Sequence, residues 1–128
     1  MKKQPLLIAL LCVLALAGCT RTEPVKNINQ TLSVRYSDSQ MKTAILAAGR
    51  DRQWIMRPQQ PGVISGHLMQ RDHTADIRIT YDANSYSINY VGSNNLLAAP
   101  GKIHRNYNRW VNNLDRDIQL HLASEQGQ

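Results

Sequence analysis

Side chains able to do chemistry are sparse in this chain of 128 residues. Its histidines, His67, His73, His104 and His121, raise the question of a metal site. None of them pair at the helical i, i+4 spacing, and no H-E-x-x-H or paired carboxylate accompanies them. His104 and His121 fall on one expected helix, about 25 Å apart at ~1.5 Å per residue, so they cannot share an ion. The spacing fits structural histidines at or near the surface. Ser65-Gly66-His67 sets a nucleophile and a base on one side of a strand, and Asp76 is a candidate acid. That trio would suit a small enzyme acting on cell wall. The G-x-S-x-G elbow is missing, however, and Gly66 reads more simply as close helix packing or a bulge. Gly62, Gly66, Gly92 and Gly101 have no phosphate-loop spacing. No catalytic or metal-binding residue is assigned on these grounds.

Charge is more suggestive. Lys and Arg number 15 against nine acids, a net +6. Lys102, Arg105, Arg109 and Arg116 fall on one expected helix, with Arg50, Arg52 and Arg57 upstream. Clustered cations favour anionic partners, so these four mark a candidate surface. Asp115 and Asp117 interrupt the run, and a plain solvated helix face is the competing reading.

The compartment follows from the first residues. Lys2 and Lys3 precede the apolar run Leu6 to Leu16, which is short for a permanent bilayer span. Then comes Leu16-Ala17-Gly18-Cys19. This resembles the lipobox of bacterial lipoproteins: an aliphatic residue, two small ones, and cysteine. The resemblance implies cleavage after Gly18, a diacylglyceryl group on the Cys19 thiol, and usually acylation of the new amino terminus. Two or three acyl chains make a stable membrane anchor. Cys12, flanked by Leu11 and Val13, is apolar filler in the leader, so the mature domain keeps no free thiol or disulfide. In the enterobacterial sorting pattern of such lipoproteins an Asp at position 20 would favour inner-membrane retention, so the resemblance implies, through Thr20, the outer membrane. The domain is expected to face the periplasm, with the cell surface as the other placement. Export separates it from nucleic acid, which leaves lipid head groups, lipopolysaccharide phosphates, acidic wall polymers or a protein as partners. No cofactor is expected beyond the lipid on Cys19. Losing Lys2 and Lys3 lowers the net charge to about +4.

The elements that would carry these residues can be read coarsely. Residues 19–36, polar and without sustained periodicity, are expected to be the lipidated start and a flexible tether, although Thr31 to Tyr36 alternates enough for a short edge strand. Ser37 and Gln40 form a capping box before Met41, Ala44, Ile45 and Ala48, with Gly49 placed to close the helix. Gln53–Arg57 is expected to be a short strand, Pro58–Gly62 a turn, and Val63–Gln70 a strand. Ala75, Ile77, Ile79 and Tyr81 alternate with Asp76, Arg78, Thr80 and Asp82; Tyr86, Ile88 and Tyr90 repeat the pattern. This predicts an antiparallel meander with one wet face. After Pro100-Gly101, the stripe Ile103, Tyr107, Trp110, Val111, Leu114, Ile118 and His121 or Leu122 predicts a long amphipathic helix. The fold class is α+β, a two-layer sandwich of about four antiparallel strands between an N-terminal and a C-terminal helix, spanning 37–123, with 124–128 fraying.

Tyr86-Ser87-Ile88-Asn89-Tyr90 and Ile103 to Trp110 also resemble small proteobacterial lipoproteins without an assigned activity, a likeness that transfers no functional residue. The leading expectation is a lipid-anchored envelope protein whose domain binds rather than catalyses. The alternatives are the wall-acting enzyme and a structural part of an envelope assembly.

Overall fold

The computed structural model describes residues 21–126. The leader 1–18, Cys19, Thr20 and the last two residues lie outside them. Elements follow in the order β1 (Thr22–Pro24), β2 (Ile28–Thr31), α1 (Asp38–Asp51), β3 (Ile55–Gln60), β4 (Val63–Gln70), β5 (His73–Tyr81), β6 (Ser85–Asn94), β7 (Lys102–His104) and α2 (Arg105–Glu125). Five strands form an antiparallel sheet in the order β2-β6-β5-β4-β3, and β1 pairs with β7 as a separate ribbon. The fold is α+β, with helices packed on one face of the sheet.

Strand alternation builds that core. Ile64, Ile79, Ile88 and Ile28 line up across four strands and are buried beside Ile77, Leu68 and Ala75. Met41, Ala44, Ile45 and Ala48 from α1 and Val111, Leu114, Ile118 and Leu122 from α2 complete it. Trp110, expected to be a main core residue, is only partly buried; Tyr107 is fully enclosed and meets Tyr90 edge-on at 5.3 Å.

The α1 start matches expectation, with reciprocal Ser37 and Gln40 hydrogen bonds. Its end does not. Gly49 stays inside the helix, and Gln53 takes the left-handed turn at φ 66°. Trp54 N–H donates to Gly49 O (2.9 Å) and Gln53 N–H to Arg50 O (3.1 Å), a Schellman closure without glycine. Gly49 serves proximity instead. A Cβ there would collide with Met56, and one on Gly66 would stand 3.1 Å from the Met56 sulfur and 2.9 Å from Ile77 Cγ1. Met56 thus fills the space between helix and sheet that the two glycines leave.

Three other expectations change. Most of the stretch read as a tether is folded: β1 pairs with β7, and β2 forms the sheet edge beside β6, burying Ile28. Strands this short carry no periodic signal, because a partner far along the chain supplies their hydrogen bonds. The turn expected at Pro58–Gly62 shrinks to Pro61-Gly62, with Gly62 at φ 80°. Pro58 belongs to β3, an edge strand with an irregular register between Pro58 and Gln60, where a missing N–H is tolerated. Lys102 and Ile103 sit on β7 rather than on the helix. Helix α2 begins at Arg105 after His104, whose side chain accepts from Asn106 N–H at 3.1 Å.

Candidate functional site

The helices leave the other face of the sheet bare. Side chains that alternate with the core residues emerge there in register. One row runs Ile55, His67, Asp76; the next runs Arg57, Ser65, Arg78, Asn89; a third runs Gln60, Val63, Thr80, Ser87. Between Asp76 and Ile77 the β5–β6 register slips, inserting Val91 as an extra residue that is 60% exposed. Ile55, at 53% exposure, faces the same groove from β3. The result is a shallow depression of about 550 Å³, open to solvent. Its lining mixes apolar side chains such as Ile55, Val63 and Val91 with polar ones, and Arg57 and Arg78 stand in it.

This face gathers the reactive trio noted in the sequence. His67 Nδ1 lies 2.7 Å from Asp76 Oδ1, so the carboxylate orients the ring. Ser65 is on the same face but turned away. Its hydroxyl donates to Arg57 O at 3.3 Å and accepts from Gln59 Nε2 at 3.0 Å, toward β3. An oriented imidazole is what a general base requires. Ser65 is not placed to be its nucleophile, because residues two apart on a strand stand side by side, nearly 7 Å apart at ~3.4 Å per residue.

Every other histidine has a local partner. His73 Nδ1 lies 2.6 Å from Asn95 O, His104 caps α2, and His121 Nε2 lies 2.6 Å from Asp51 Oδ2. Among the described residues no three His, Cys, Asp or Glu side chains gather to hold a metal ion.

The candidate cationic surface is divided by the fold. Lys102 is on β7, while Arg105, Arg109 and Arg116 share the solvent-facing stripe of α2, each exposed. Arg116 stands about 16 Å along the axis from Arg105, at ~1.5 Å per residue, so the two serve different neighbourhoods. Arg109 and Arg116 donate to Asn106 (2.9 Å) and Asn113 (2.7 Å). The two aspartates that seemed to interrupt the run face elsewhere. Asp117 pairs with Arg52 at 2.6 Å, which also holds the Arg52 guanidinium above its ordinary pKa. Asp115 accepts from the Tyr86 hydroxyl and from Gln30 Nε2. Burial first, and then that carboxylate, push the Tyr86 phenol well above its usual range. Among the described residues Arg105, Arg109 and Arg116 make no ion pair.

One polar residue escaped the sequence reading. Asn108 is buried at 7% exposure; its Nδ2 donates to Glu23 Oε1 (3.0 Å) and Pro24 O (2.9 Å), and its Oδ1 accepts from Lys26 N–H (3.0 Å). No local signal shows that a distant strand would cover it. Nor do the neighbouring asparagines satisfy Tyr107, whose buried hydroxyl finds no partner among the described residues. Compared with protein-family models, curated proteins and solved structures, the chain matches none of them.

Proposed function

We propose that this chain is a lipoprotein of the bacterial outer membrane, anchored through acyl chains on Cys19. In this reading its domain, facing the periplasm, binds an anionic envelope component without catalysis and without a cofactor beyond the anchor. The observation that supports binding most directly is the uncovered sheet face. A protein that spends five strands on a two-layer sandwich normally hides one face only, and the other is free for recognition. Here that face offers two arginines unpaired among the described residues, a ring already held by a carboxylate, and exposed Ile55 and Val91. The mixture suits an extended polymer carrying carboxylates, such as an acidic wall polymer, because Arg forks bind carboxylates in a fixed geometry.

Co-sedimentation with purified cell-wall sacculi tests this reading. The wild-type protein pellets with the wall at low salt, and an Arg57→Glu/Arg78→Glu variant stays in the supernatant. Equal recovery of both removes the sheet face as the binding surface.

The His67–Asp76 pair favours one second reading, a small wall-acting enzyme in which His67 is the base. Release of soluble wall fragments by the purified protein, abolished by His67→Ala, would establish it in place of the binding role.

A further inference from the structure

Charge is distributed very unevenly along this domain. The β1·β7 ribbon, the start of α2, the β4–β5 turn and the loop after β6 share one end: His104 N–H donates to Leu96 O, Asn95 Nδ2 to Asp72 O, and Val25 N–H to Gly101 O. That end carries Arg21, Lys26, Arg71, Lys102, Arg105 and Arg109 against only Glu23 and Asp72. Elsewhere in the domain seven cations are matched by seven acids. The whole net positive charge of the mature chain therefore resides at one pole.

The same pole is where the chain leaves for Cys19. Strand β1 begins at Thr22, three residues after the acceptor cysteine, a reach of about 10 Å at most when extended. Asn108 then fixes β1 and the following turn to α2 through three hydrogen bonds, so the folded body begins within a few residues of the anchor position. A domain held this closely must present the ribbon end to the bilayer. Cations within a Debye length of an anionic leaflet are attracted to it, and this pole is the part of the domain nearest the anchor.

We infer that this pole is a membrane-docking surface for anionic phospholipid head groups, resting on the lipid-anchor reading above and adding a fixed orientation to it. Arg105 and Arg109 lie against the head groups together with Lys26 and Lys102. The groove on the open sheet face then stands to the side of the domain, accessible to a partner approaching along the membrane.

The chain supplies its own test. After loss of the leader its lysines are Lys26, Lys42 and Lys102, two at the charged pole and one on α1. The acylated protein is reconstituted into phosphatidylglycerol–phosphatidylethanolamine vesicles, or into neutral phosphatidylcholine vesicles, and treated with a water-soluble acetylating reagent. Labelling of each lysine is followed by mass spectrometry. Lys26 and Lys102 should label about fivefold or more slowly on the anionic vesicles, with protection lost at high salt and Lys42 unchanged. An Arg105→Glu/Arg109→Glu variant should stay vesicle-bound and lose the protection. Vesicle-bound protein whose three lysines label alike on both lipids overturns the orientation while leaving the anchor intact. Protein recovered free of vesicles, with no acyl mass on Cys19, overturns the anchor reading and the docking surface together.

Discussion

The two faces of the central sheet are made by the same strands, from residues that alternate one by one. On the covered face, Ile64, Ile77, Ile79 and Ile88 are almost completely removed from water. On the bare face, their immediate neighbours Ser65, Asp76, Arg78, Thr80 and Ser87 keep water contact, and the hydrogen bonds made there, such as His67–Asp76 and Thr80–Ser87, join side chains of that same face. A single residue step thus separates a side chain that holds the core from one that meets solvent. Substitutions on the bare face should have small effects on folding, whereas each covered position belongs to the core shared with the helices.

That separation can be attacked directly. Ile79→Ala on the covered face should cost ~2–5 kcal/mol through lost burial and a residual cavity, while Thr80→Ala next to it should cost less than ~1 kcal/mol. Urea denaturation of the two variants measures the gap, and similar midpoints would erase the contrast. Gly66→Val comes next, with an expected loss of ~1–3 kcal/mol because its side chain would overlap Met56 and Ile77; Ser65→Ala beside it should be nearly neutral. Gln53→Gly should raise stability by about 0.5–1 kcal/mol, relieving a left-handed residue that no face requires. The smallest effect belongs to the β5–β6 turn. Hydrogen bonds from the Ser85 hydroxyl and then the Asn84 N–H hold Asp82 below the usual carboxylate pKa. Its folded-state pKa is depressed, so its stabilisation is present above the ordinary carboxylate range and lost as pH falls through the folded value. Asp82→Asn should flatten that part of the acid melting profile.

How much of this was readable in advance depends on where each element finds its partners. The capping box at Ser37, the alternation from Val63 to Tyr90 and the stripe Tyr107 to Leu122 are local patterns, and all appear in the structure. Strands β1, β2 and β7 have three or four residues each, paired with segments more than fifty positions away, and composition alone made two of them a tether. Gln53 hid the end of α1 because the left-handed position is ordinarily glycine. The groove was half legible. Ser65, His67 and Asp76 were singled out by type, but only the β4–β5 register sets His67 opposite Asp76, and only the β6 slip brings Val91 to the rim. Arg57 reads in sequence as one of the cations with Arg50 and Arg52, and Arg78 as a wet-face strand residue, since nothing local says that two strands flanking β4 would align them.

Proline 58 has a consequence beyond its own strand. If the proposed lipid anchor holds the chain at a membrane, its copies diffuse in two dimensions at high local density, where a free sheet margin invites a neighbouring copy to add its own strand. Pro58 lacks the donor such growth needs and sits beside an irregular register, while β2 at the opposite margin is only four residues long. Both borders are thus poor templates for polymerisation, and crowded copies can remain separate with their broad surfaces uncovered.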